Sequence, residues 1–251
     1  MLATLSARVA LHSIVLAAVG ICVFGAIAPP ALGEPVPLTG APMEVQVWPG
    51  GEAGYMLFIV TGRVPADVAL PAVVRFPLPA NAQVLWSGEI LGGRLEDDPA
   101  RQYTVVETPT GRAIEFTAEE TRTVQYEAVG YPLAFEDGLV TARFEWVQSV
   151  PVDEVVFSVR VPATAEVVNI DPAPAGPPAF NEGGDRLYVL TPLALPEGAR
   201  QEITVAYGDR GADVSGATGG TVLRWVGLAL GFAVAALAVV LIWEKRRRAN
   251  A

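Results

Sequence analysis

Val140-Thr141-Ala142-Arg143-Phe144-Glu145-Trp146 alternates residue by residue. Val140, Ala142, Phe144 and Trp146 fall on one face, and Thr141, Arg143 and Glu145 on the other. That is the period of two of a half-buried strand, and Trp146 belongs to its core face. The same pattern recurs outward from it. Val155, Phe157, Val159 and Val161 alternate with Val156, Ser158 and Arg160; Ile203, Val205 and Tyr207 alternate with Glu202, Thr204 and Ala206. Tyr55 to Thr61 is a continuous apolar run, which suits a fully buried strand. Thr108-Pro109-Thr110-Gly111, set between 102–107 and 112–116, has the residues of a hairpin turn. Between Glu34 and Gly220 no stretch carries a helical stripe. Short strands punctuated by Pro and Gly predict an all-β ectodomain built from β-sandwiches.

An internal repeat sharpens this expectation. Val74-Arg75-Phe76-Pro77 returns as Val159-Arg160-Val161-Pro162, and Thr123-Val124-Gln125-Tyr126 as Thr204-Val205-Ala206-Tyr207. The offsets are 85 and 81 residues, in the same order. Two tandem Ig-like β-sandwiches over 34–132 and 133–208 would produce such a repeat. Strands of one larger sandwich, alike only in composition, would produce it too. The break between the units is expected where Tyr131-Pro132 and Glu136-Asp137-Gly138 interrupt the pattern.

The chain ends read differently. Arg8 precedes an apolar run from Val9 to Ala28, followed by Pro29-Pro30 and Ala31-Leu32-Gly33. Residues 1–33 are expected to be a secretory signal peptide, with an uncleaved anchor as the alternative. From Trp225 to Trp243 there is no charged residue. Nineteen residues make a helix of about 28 Å, enough for a hydrocarbon core of about 30 Å. Trp225 and Trp243 would sit at the two interfaces. Lys245, Arg246, Arg247 and Arg248 mark the cytoplasmic side. A transmembrane α-helix is therefore expected over 221–243, with a short basic tail over 244–251. Residues 209–220, rich in Gly, Ala and Ser, are expected to be a flexible stalk. Gly227 and Gly231 form a G-x-x-x-G through which two such helices could pack as a homodimer, although Gly and Ala are common in such helices anyway. The lipid bilayer is the expected partner of this segment. The expected location is a bacterial cytoplasmic membrane, with the folded mass outside and the C-terminus in the cytoplasm. The abundance of Ala, Val, Arg, Pro and Gly suits a GC-rich bacterial genome.

Charge and missing residue types bound the function. The segment 34–220 sets 26 acidic residues against 11 Arg and no Lys, a formal net of −15. Such a domain disfavours nucleic acid as a partner. The single His12 and single Cys22 both lie in the expected signal. The remainder then has no His or Cys for nucleophile activation, for zinc or for disulfides. No cofactor is expected and an enzyme is not expected. Paired carboxylates could still hydrolyse glycosides, but no cleft is evident to hold a sugar.

Two features could bind ligands. Glu96, Asp97 and Asp98 are adjacent carboxylates in a polar loop read as Gly88 to Gln102, and Ca²⁺ takes about six to eight oxygens. The spacing of a calcium-binding helix-loop-helix is absent, and a solvated loop explains the same residues. Trp86 and Trp48 stand beside turn-forming residues, where an indole could serve as a ligand platform or equally pack into a core. The leading functional expectation is an interaction module or accessory subunit of a membrane or cell-envelope complex, with a protein partner. The alternative is a module that binds a surface glycan or Ca²⁺.

Overall fold

The computed structural model describes residues 33–209 apart from Ala53 and Glu182. The expected signal segment up to residue 32 lies outside the described residues. So do positions 210–251, with Trp225, Gly227, Gly231, Trp243 and Lys245 to Arg248. Among the described residues, no helix is long and apolar enough to cross a membrane.

The described chain is all β, with sandwich-like packing of its sheets. β1 (Met43–Glu52) comes first. It is followed by β2 (Tyr55–Arg63), β3 (Ala72–Leu78), β4 (Gln83–Glu89), β5 (Tyr103–Thr108), β6 (Gly111–Ala118) and β7 (Thr123–Pro132). The later strands are β8 (Ala134–Glu136), β9 (Leu139–Val147), β10 (Val155–Val161), β11 (Ala165–Asp171), β12 (Ala179–Phe180), β13 (Arg186–Val189) and β14 (Arg200–Asp209). The alternating and continuous apolar stretches all lie in strands. β2 is buried along nearly its whole length, and β9 alternates between core and surface as its sequence does.

Strand order shows the same pairing scheme twice. In the first half, β7 lies between β2 and β4, and β6 between β3 and β5. In the second, β14 lies between β9 and β11, and β13 between β10 and β12. The recurring V-R-x-P segments belong to β3 and to the end of β10, and the T-V-x-Y segments to β7 and β14. Equivalent segments therefore hold equivalent places. The short β8 is an addition that pairs only with β9. Its turn, Asp137-Gly138, has φ of 51° and 74°. That is the left-handed backbone of a tight hairpin, for which Asp-Gly is well suited.

β1 joins the halves. It runs antiparallel to β2 on one side, with Val45 opposite Val60, and parallel to β10 on the other, with Val45 opposite Phe157. The result is one seven-stranded sheet in the order β12-β13-β10-β1-β2-β7-β4. This sheet takes strands from both sides of the expected boundary at 132/133. The two smaller sheets, β3-β6-β5 and β11-β14-β9-β8, pack on the same face of it.

One row across that face shows why. Phe157, Val45, Val60 and Tyr126 follow one another through β10, β1, β2 and β7, and all are fully buried. Tyr126 meets Phe76 of β3 edge to face at 5.6 Å, and Phe157 meets Trp146 of β9 at 5.7 Å. Phe58 of β2 meets Phe144 of β9 at 5.1 Å, which ties the second small sheet to the first half as well. Burying each of these rings contributes roughly 2–3 kcal/mol. Gly62 is required beneath Phe76, because a Cβ there would come within 2.7 Å of the ring. The segment just after β9 also reaches the first small sheet, where Ser149 Oγ donates to the Arg112 carbonyl of β6 at 2.6 Å.

Candidate functional site

Trp48 and Trp86 both sit on the face of the seven-stranded sheet that points away from the small sheets. Register brings them into neighbouring rows. Arg160, Trp48, Leu57 and Val129 form one row; Ser158, Gln46, Ile59, Glu127 and Trp86 form the next. Val156, Glu44, Thr61 and Gln125 form a third. This face mixes indoles, aliphatics, two carboxylates and a guanidinium. Most of it is half-buried, Trp48, Trp86 and Arg160 included, while Leu57 and Ile59 are buried.

The electrostatics of the face follow from that burial. The Arg160 guanidinium lies over the Trp48 ring, 3.8 Å from its centre. It is also held by Asp185 at 2.6 Å, so its plane is fixed against the indole. Thr61 Oγ1 donates to Gln125 Oε1 at 3.0 Å, and Gln125 Nε2 donates to Glu127 at 3.3 Å. Burial pushes the Glu44 carboxyl up to about 7. Burial raises Glu127 as well, partly offset by the Gln125 amide. Among the described residues, Gln46 Oε1 is buried with no hydrogen-bond partner. The face can make flat aromatic and hydrogen-bonded contacts, and Glu44 can change charge near neutral pH.

Trp86 is half-buried, its ring folded back over Gly88. It is neither a core residue like Trp146, which is fully buried, nor a freely exposed platform. Sequence reasoning missed Glu44, Gln46 and Arg160 as members of this face. The alternation Glu44-Val45-Gln46-Val47-Trp48 carried the signal, since it marks a strand with a polar and aromatic outer side.

The acidic loop is arranged locally. Gly88 and Glu89 belong to β4 rather than to this loop. Leu95–Asp97 is one turn of 3-10 helix. Glu96 pairs with Arg94, and Asp98 Oδ1 accepts from the Leu91 N–H at 2.7 Å. Among the described residues, no group of three or more His, Cys, Asp or Glu side chains is placed to hold a metal ion.

The best-defended carboxylate is Glu89 at the end of β4, fully buried. Burial works to raise its pKa, but the donors around it win and hold it below the usual carboxylate range. They are the N–H groups of Thr121, Glu119 and Glu120, at 2.6, 2.9 and 2.7 Å, and the Arg101 guanidinium at 2.7 Å. Arg101 also pairs with Glu119 and Glu120. With every oxygen engaged, Glu89 fixes the β6–β7 turn and has no free lone pair for chemistry.

The fold and this face define an all-β, sandwich-like protein. No family model matches the chain, and no curated protein matches it. Two solved structures of a variant M1 zinc metallopeptidase from Deinococcus radiodurans, one bound to a Tyr-Ser-Ala substrate, are similar at 18% identity and a TM-score of 0.35. The likeness covers 66% of this chain and spans 40% of the length of that one. At that score it carries no argument about function.

Proposed function

We propose that this is a single-pass, membrane-anchored extracytoplasmic protein that acts as an interaction module or accessory subunit of a membrane or cell-envelope complex. The observation that carries the reading is the order of parts in the chain. The closing strand β14 ends at Asp209, and beyond fifteen intervening residues the uncharged segment Trp225 to Trp243 runs into Lys245 to Arg248. A sheet face bearing Trp48, Trp86 and Arg160 supports a role in contact, because aromatic residues and Arg concentrate where proteins meet.

The test is isolation of the full-length protein from native membranes in mild detergent. A stoichiometric membrane-protein partner, lost when Trp48 and Trp86 are both changed to Ala, is the expected result. Recovery of the chain alone at monomer mass, or recovery from the soluble fraction, would overturn the proposal.

A further inference from the structure

Several features of the molecule gather at one end of the seven-stranded sheet. Phe180 of β12, Arg186 of β13 and Val161 of β10 stand in one row there, beside Pro49 of β1 and Met56 of β2. Tyr55 lies one step further out, at the β1–β2 hairpin. Phe135 of β8 belongs to the same end, since its ring comes within 4.0 Å of where a Cβ on Gly54 would stand. Asp209 of β14 is there too, because the Tyr207 hydroxyl donates to the Pro49 carbonyl at 3.2 Å.

Among the described residues, Tyr55, Phe135 and Phe180 are the three most exposed aromatic side chains, at 48, 65 and 68%. Single exposed apolar residues are ordinary on a protein surface. Three aromatics at the one end from which the chain departs toward its apolar segment are a pattern with a use. A Gly-rich linker of fifteen residues averages about 20 Å end to end, so an anchored chain would hold this end close to the bilayer. Tyr rings favour the headgroup level of a membrane, and Phe rings insert at its boundary with the acyl chains. Exposed Glu136 and Asp137 flank Phe135, and they oppose anionic lipid.

We infer that this end is a membrane-contact edge: Tyr55, Phe135 and Phe180 rest in the headgroup layer of zwitterionic phospholipid, down to its boundary with the acyl chains, and fix the orientation of the β unit above the bilayer. This rests on the proposed membrane anchor.

The experiment uses the full chain with Cys22→Ser, reconstituted in phosphatidylcholine nanodiscs. Nitroxide labels are placed one at a time at Tyr55→Cys, Phe135→Cys and Phe180→Cys. Leu95→Cys, in the loop beyond the opposite end of β4, and Ala235→Cys, within the apolar segment, are the references. Collision with oxygen relative to a water-soluble nickel chelate is the readout. The expected result is a ratio several-fold higher at 55, 135 and 180 than at 95, falling when phosphatidylglycerol replaces half the lipid.

Lipid contact at 235 with water-like ratios at 55, 135 and 180 overturns the contact edge and leaves the anchor standing. A water-like ratio at 235 overturns the anchor and the edge together. Tyr55, Leu95, Phe135 and Phe180 are exposed, so labels there remove no buried contact. Unchanged thermal melting of each labelled chain confirms that folding is intact.

Discussion

The two halves of this molecule share one pairing scheme and differ in what they do with the outer edge of their V-R-x-P strand. In the first half that strand is β3, and its free edge is met by a single parallel bridge, Val36 to Val74. In the second half it is β10, and its edge is covered by five paired residues of β1, again parallel. The Arg in each motif pairs with a carboxylate of the neighbouring strand or its approach. Arg75 pairs with Glu115 and Arg160 with Asp185. Equal local chemistry therefore yields unequal architecture. The first small sheet stays three-stranded, while the second half gives its equivalent strands to a sheet that crosses the molecule. What differs is a long strand placed before both repeats.

The comparison can be broken most forcefully in the core. Phe76→Ala in the first half and Phe157→Ala in the second should each cost about 3–5 kcal/mol, because both rings are fully buried against other aromatics. With β1 shared, either change should lower one cooperative unfolding transition, seen by calorimetry. Two separable transitions, each moved by only one variant, would show that the halves melt independently.

The ends of the equivalent strands β4 and β11 sharpen it next. Glu89 closes β4 and is buried, whereas Asp171 closes β11 and is exposed. Glu89→Ala should cost about 3 kcal/mol by leaving three N–H donors and Arg101 uncompensated. Asp171→Ala should stay within about 0.5 kcal/mol. Because the folded pKa of Glu89 is lowered, its contribution is present above the ordinary value of 4.5 and is lost as pH falls through the folded value. Chemical denaturation at pH 7 and pH 3 should show the gap between wild type and Glu89→Gln narrowing in acid.

Glu44 on β1 has the opposite sign. Its folded pKa of about 7 exceeds 4.5, so its penalty is absent below 4.5, grows as pH rises, and is complete above 7. Glu44→Gln should stabilise the protein by about 3 kcal/mol at pH 8 and hardly at all at pH 4. Equal effects at both pH values would mean that the carboxyl is not held in a dry place.

A smaller effect than that of Glu44 concerns the two T-V-x-Y tyrosines. The Tyr126 hydroxyl donates to the Pro77 carbonyl inside the first half, and Tyr207 donates to Pro49 of β1. Each Tyr→Phe change should cost about 1 kcal/mol. Combining Tyr207→Phe with Glu44→Gln should be non-additive only if β1 shifts as a unit, which a double-mutant cycle reads directly.

Strand positions were largely legible because alternation is a local property. Val140 to Trp146, Val155 to Val161 and Ile203 to Tyr207 needed only their own sequence. So did the Thr108 to Gly111 turn. The repeat was legible as two short echoes, and those echoes hold matching places in the pairing order. The bridging role of β1 was not, because pairing Met43 with Val155 is a non-local choice that no window of sequence contains. Asp137-Gly138 was read as an interruption between units, although the same dipeptide closes a tight hairpin. The outer face of the large sheet was missed for a related reason. Trp48, Arg160 and Trp86 lie on three strands far apart in the chain, and only register brings them into adjacent rows.

The shared strand also sets a schedule. During synthesis β1 emerges early, and β2 follows at once to cover one of its edges. The partner for its other edge arrives about 110 residues later, a wait of roughly 5 to 20 s at ordinary elongation rates. Throughout that interval the nascent chain carries an open row of backbone donors and acceptors flanked by Val45 and Val47, the kind of surface that recruits strands from other molecules. The single element that unites the halves is thus also the one whose completion is latest, and a chain released before Val161 would carry that unfinished edge with it.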